Sequence, residues 1–143
     1  MSDGIPFAPA LRLLIVDDDP GEFPLLEAGF SGQNRRVTVQ TITIAHLALV
    51  EVALCESGEK PHAALVDINM PAIDGYGLAR EFIGNGLPTI LMSSDVDDHR
   101  RDRAAAIGVL GLLEKPSNAD GYAAFAQRVL ELIGSFEKAA DVS

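Results

Sequence analysis

Short apolar runs alternate with longer amphipathic stretches along most of the chain. LRLLIV (11–16), VTVQTIT (37–43), AALV (63–66), PTILMS (88–93) and VLGLL (109–113) read as five strands. Stretches at about 22–30, 45–56, 75–84, 96–107 and 119–138 read as five helices that follow them in turn. Runs such as LLIV and AALV are apolar at successive positions, the pattern of a parallel strand with helices over both faces. The last helical stretch puts Tyr122, Phe125, Val129, Leu132 and Ile133 at offsets of three and four, on one face. Gly58, Pro61, Gly84, Gly86, Pro88, Gly108 and Gly111 fall at the boundaries between elements. The fold class predicted is α/β, a parallel sheet between two helical layers. Residues 1–10, with two prolines and a glycine, read as a leader, 11–138 as one domain and 139–143 as a tail.

Composition removes several function classes. With 143 residues, 48% of them apolar, the chain suits one domain with its own core. Eleven lysines and arginines against 21 aspartates and glutamates give a net charge of −10. That is the wrong sign for work on phosphate backbones or anionic lipid, so neither nucleic acid nor membrane is an expected partner. Cys55 is the single cysteine, which excludes an internal disulfide or a CxxC pair and fits a reducing compartment; the cytoplasm is the expected location. The N-terminus lacks a signal-peptide pattern, and the apolar run Leu13 to Val16 is too short to span a bilayer.

Candidate chemistry gathers at the carboxyl ends of the predicted strands, where open parallel sheets bind ligands. The first strand ends in Asp17, Asp18 and Asp19, the third in Asp67, the fourth in Ser93 and Ser94, and the fifth in Lys115 and Pro116. Singly, each is explained as a turn residue, a helix cap or a solvated charge. Jointly they put several carboxylates at one edge. Carboxylates so close repel one another and need a cation to stay ionised, and magnesium is the economical choice.

Asp67 stands in ALVDINMPAIDGYGL, which resembles the phosphoacceptor region of response-regulator receiver domains. LLIVDDDP is similar to that family's first strand with its acidic pair, PTILMSSD to its fourth strand with a hydroxyl, and LLEKP to its fifth with a lysine. The resemblance covers about residues 11–136. It implies the flavodoxin-like doubly wound sheet of five strands in the order 2-1-3-4-5. It makes Asp67 the phosphorylated residue, and Asp17 and Asp18 the acidic pair for Mg2+, with the Asn69 backbone carbonyl as a further ligand. Ser93 would bond the phosphoryl group and Lys115 would pair with it. The implied donor is a sensor histidine kinase or a histidine phosphotransfer protein. The implied output is a downstream protein, or a second copy in a homodimer, on the face formed by the fourth helix, fifth strand and fifth helix. Such a domain is a signalling phosphoacceptor and not an enzyme, apart from promoting its own phosphorylation and dephosphorylation.

Two other readings compete. A degenerate receiver would act as a constitutive interaction or dimerisation module, which the full acidic and lysine set argues against. A magnesium-dependent phosphatase with an aspartyl nucleophile would use DxD after the first strand, a spacing that Asp17 and Asp19 match. His46, His62 and His99 have no metal-site spacing, HRRDR (99–103) reads as a solvated helix face or a partner surface, and no GxxxxGK[ST] phosphate loop occurs. Three residues before Lys115, where many family members carry Tyr or Phe, this chain has Leu112. Leu112 is expected to pack toward the last helix near Tyr122 or Phe125. The family's habit also predicts a cis peptide between Lys115 and Pro116.

Overall fold

The computed structural model describes residues 10–43, 60–71 and 73–142. Its strands are β1 (Leu11–Val16), β2 (Val37–Ile42), β3 (Ala63–Asp67), β4 (Thr89–Ser93) and β5 (Leu112–Glu114). All pairings are parallel, and the order across the sheet is β2-β1-β3-β4-β5. The described helices are α1 (Glu22–Ser31), α2 (Gly75–Gly84), α3 (Asp98–Ile107) and α4 (Tyr122–Val142), the last preceded by a 3-10 turn, Ala119–Gly121. The sheet order and the flavodoxin-like architecture are as expected. The predicted helix over 45–56, with His46 and Cys55, lies outside the described residues.

Successive strand residues point to opposite faces, so a run apolar at every position serves two cores at once. Leu14, Val16, Ala64, Val66, Leu91 and Leu112 meet Tyr76, Leu78, Ala79 and Phe82 of α2 and Ala104 of α3. The alternate residues Leu11, Leu13, Ile15, Ala63, Leu65, Ile90 and Met92 meet Leu26 and Phe30 of α1 and Tyr122, Phe125, Val129 and Ile133 of α4. β1, β3 and β4 are buried almost throughout, whereas β2 at the sheet edge alternates between half-buried and exposed.

Boundaries depart from the sequence pattern at the far edge. The pattern VLGLL predicts a strand from 109, but regular pairing begins at Leu112. Gly108 closes α3 at φ 95°, and the chain then joins β4 through single bonds, Leu110 N–H to Thr89 O and Leu91 N–H to Gly111 O. A left-handed residue followed by these isolated bonds delays the ladder. The last helix starts three residues later than predicted and runs on to Val142. Before that extension Arg35 pairs with Glu137, with two contacts of 2.8 and 2.9 Å.

Leu112 corrects one expectation. It is buried on the α2/α3 side with Ala104, and its neighbour Leu113 faces α4 instead. Strand parity settles this, because Leu113 and Leu112 must point to opposite faces.

The approach of α1 to α4 depends on Gly29. A Cβ built there would lie 2.5 Å from the backbone oxygen of Tyr122. Alanine would add about 1 kcal/mol of helix propensity, but a backbone clash of this size costs about 1–3 kcal/mol. Gly29→Ala should therefore lower the urea midpoint with an unchanged slope; a raised midpoint would contradict this packing.

Candidate functional site

Strand register assembles the site. Val16 pairs with Val66, so the next residues, Asp17 and Asp67, emerge side by side from β1 and β3. Both lie on the strand parity that faces α1 and α4, as does Lys115, which follows β5. Asp17 is fully buried and Asp67 is 5% exposed. Lys115 Nζ stands 2.8 Å from Asp17 Oδ2 and 3.1 Å from Asp67 Oδ2. The other Asp67 oxygen accepts the Asn69 N–H at 2.9 Å, and Asp17 Oδ1 accepts the Asp19 N–H at 2.9 Å.

The Asp17 contact is ionic in character. Oδ2 lies close to the ammonium but has no hydrogen-bond donor aligned with it. Burial pushes the Asp17 carboxyl up to about 6, against the lowering by Lys115 and the Asp19 amide. Burial would also lower the Lys115 pKa. The adjacent Asp17 carboxylate, with the charge and hydrogen bond of Asp67, outweighs it and holds the ammonium above its ordinary range.

Of the remaining predicted residues, Asp18 is exposed at the rim and is not drawn into the buried pair. Among the described residues no three acidic, histidine or cysteine side chains converge as a ready metal cage. The available donors still suit a hard cation: all are oxygens, and Asp17 Oδ2 is a buried carboxylate oxygen that lacks a donor. Ser93 is fully buried on the opposite parity. Its hydroxyl donates to Asp95 O at 2.7 Å and accepts from Asp95 N–H and from Asn69 Nδ2, each at 3.1 Å. Asn69 thus engages Asp67 through its amide N–H and Ser93 through its side chain.

The expected cis bond is absent. No peptide among the described residues is cis, so Lys115–Pro116 is trans. Trans is the intrinsically favoured isomer by about 0.5–1 kcal/mol, and Lys115 reaches both carboxylates without the alternative.

Sequence reading missed two residues of this cluster. Glu22, in the first turn of α1, places Oε1 3.6 Å from Lys115 Nζ, and its other oxygen accepts the Tyr122 hydroxyl. Spacing could not pair residues 22 and 122; at most, an acid on the first turn after the Asp triplet hinted at it. On the other face, Asp74 caps α2 by accepting the Tyr76 N–H and also meets Arg103 at 3.3 Å, whose guanidinium lies 4.1 Å from the Tyr76 ring centre. Arg100 pairs with Asp97 at 2.7 Å. His62 Nδ1 accepts the Arg12 N–H at 2.9 Å, and His99 is exposed on α3.

A family model for the response regulator receiver domain matches residues 13–126. The chain belongs to this family. As a receiver domain of two-component signalling it is 36% identical over 116 residues to the two-component response regulator ORR26 of Oryza sativa subsp. japonica. That match covers 80% of this chain and 19% of the rice protein. It is 31% identical over 110 residues to an uncharacterised 14.6 kDa protein of Leptolyngbya boryana, covering 74% of this chain and 79% of that one. Among solved structures, the phosphorylated cyanobacterial phytochrome response regulator RcpA superposes with a TM-score of 0.77 at 16% identity, over 90% of this chain and 96% of that one. The chain spans only 19% and 30% of the length of the first two curated relatives it matches, ORR26 and a protein-glutamate methylesterase of Cereibacter sphaeroides. Among the described residues no helix is long and apolar enough to cross a membrane.

Gly75 supports Asp67 from behind. A Cβ there would lie 2.5 Å from Ile68 Cα and 2.6 Å from the Asp67 backbone oxygen. Gly75→Ala should destabilise the domain by about 1–3 kcal/mol and shift the Asp67 carboxyl carbon resonance. An unmoved resonance would mean that the loop gives way elsewhere.

Proposed function

We propose that the domain accepts a phosphoryl group on Asp67 from a phosphohistidine of a sensor histidine kinase or histidine phosphotransfer protein, and so switches a downstream contact. The observation that carries this reading is the geometry of Asp67: a carboxylate at the open end of the sheet, with one oxygen on the Asn69 amide and the other 3.1 Å from Lys115. In the transfer, an Asp67 oxygen forms a bond to phosphorus while the P–N bond to the donor imidazole breaks, its electron pair leaving on nitrogen. Hydrolysis reverses the charge: water attacks phosphorus and the carboxylate leaves. Such transfer asks a protein mainly for in-line placement and charge neutralisation. Lys115 supplies a fixed positive charge on one side.

Asp17, Asp18, Asp67 and the Asn69 carbonyl are the oxygens that would hold Mg2+, which when bound neutralises charge on the phosphoryl oxygens. Asp17 would contribute a buried carboxylate and Asp18 an exposed one at the rim. The Ser93 hydroxyl is the proposed partner of the phosphoryl group, and a phosphoryl group adds about −1.5 to −2 charge to be met there. The α3, β5 and α4 face is the proposed output surface, for a downstream protein or a second copy.

The phosphatase reading is weakened by Asp19. Its Oδ1 accepts the Gly21 N–H at 3.0 Å in the turn into α1, away from the Asp17–Lys115 pair. The interaction-module reading has no particular observation in its favour.

Acetyl phosphate with magnesium should label the protein once, and Asp67→Asn should abolish labelling, since an amide cannot form the acyl phosphate. Label on Asp17 would restore the phosphatase reading, and no label on the unaltered protein the interaction module. Asp18→Ala should weaken magnesium binding and slow labelling through loss of one oxygen ligand and one charge. Equal magnesium affinity in the two proteins would exclude Asp18 from the metal site.

A further inference from the structure

The acidic pair and Lys115 do not end the chain of polar contacts on the α1/α4 side. Lys115 Nζ has a third carboxylate neighbour, Glu22, whose side chain is 19% exposed, and Glu22 is in turn held by the Tyr122 hydroxyl. Tyr122 is 6% exposed and its ring meets Phe125 edge-on at 6.5 Å. The backbone there is fixed as well, since Gly29 lets α1 close onto the Tyr122 carbonyl. The hydroxyl therefore cannot follow Glu22 far, and the two side chains set where the Glu22 carboxylate sits relative to the ammonium.

We propose that Glu22 and Tyr122 form a positioning pair that governs how freely Lys115 turns from the protein's own carboxylates to a phosphoryl group on Asp67. The inference rests on Asp67 as phosphoacceptor and adds a regulation of that site. Glu22 competes for the ammonium and adds a negative charge near a group that is itself anionic. Tyr122 moderates this competition: its hydrogen bond satisfies one Glu22 oxygen and leaves the other 3.6 Å from Nζ, beyond a close ion pair. Without the hydroxyl, a half-buried carboxylate that has lost its donor turns to the nearest one, which is Lys115.

The two deletions therefore act in opposite directions on the same site. Glu22→Gln removes the competing charge and should tighten binding of beryllofluoride, a mimic of the phosphoryl group, in the presence of magnesium. Tyr122→Phe strengthens the Glu22–Lys115 pair and should weaken it. Each change is expected to be roughly three- to tenfold, as for a partly screened ion pair. In the double variant Tyr122 has no carboxylate to act through, so its affinity should equal that of Glu22→Gln.

Affinity is read by calorimetry and by 19F resonances of the bound fluoride on the whole chain, with thermal midpoints measured in parallel. A purely structural role would leave Glu22→Gln close to the unaltered protein, because the Gln carbonyl oxygen still accepts the Tyr122 hydroxyl, and would cost affinity only in Tyr122→Phe. Shifts of the same sign, an unchanged affinity in Glu22→Gln, or a double variant equal to the product of the singles would each overturn the positioning pair. Failure of the unaltered protein to bind beryllofluoride would instead overturn the phosphoacceptor reading on which it rests.

Discussion

The arrangement at the open end of the sheet depends on one cation being carried across it. Asp17 and Asp67 leave adjacent strands with both side chains buried, and two anions in that position would repel each other and resist ionisation. Lys115 relieves this from β5, two strand spacings or about 9–10 Å from β3. Only a long, flexible side chain can span the intervening β4, and parity must point it to the same face as the two aspartates. Pro116 lies where the backbone no longer needs an N–H for the ladder, because Lys115 N–H makes the last bond to Ser93 O at 2.8 Å.

Sequence periodicity made most of the framework legible, for an identifiable reason. Strands buried on both faces leave unbroken apolar runs, and helices facing them leave stripes, so β1, β3, β4, α1 and α2 appear within a residue or two of their observed limits. Patterning is weaker where backbone geometry decides. Apolar letters begin at Val109, yet the left-handed Gly108 and the isolated bonds of Leu110 and Gly111 hold back regular pairing until Leu112. The last residues of α4, 139–142, continue no apolar stripe, so a local window stops before them.

The site was legible to a similar depth. Asp17, Asp67 and Lys115 could be found because each ends a strand, and strand ends converge in this topology. They gather at one edge of the sheet, and strand parity divides the polar groups at that edge between its two faces. Asp17, Asp67 and Lys115 stand on the α1/α4 side, with Glu22 and Tyr122. Ser93 shares the parity of Leu91, on the α2/α3 side. Leu112 falls on that side because alternation along β5 sends it away from Leu113 and the last helix.

This division bears on how an event at Asp67 could reach a partner without an aromatic residue at 112. Ser93 is tied to the Asp95 backbone by two hydrogen bonds, and Asp95 is two residues from Asp97, the N-cap of α3. Asp97 accepts the Arg100 N–H at 2.8 Å and pairs with its guanidinium, so the first turn of α3 is fastened to the same short loop. Under the proposed function, a pull on the Ser93 hydroxyl would be applied to the helix cap through the backbone. Leu112 is buried in one cluster with Ala104 and has no polar tip to turn outward. Resistance comes from Arg103, which stacks on Tyr76 and reaches Asp74 at the start of α2. Helix α3 is therefore held between a loop attached to the hydroxyl and a clasp attached to the segment that follows Asp67, and any displacement of the helix must loosen one or the other.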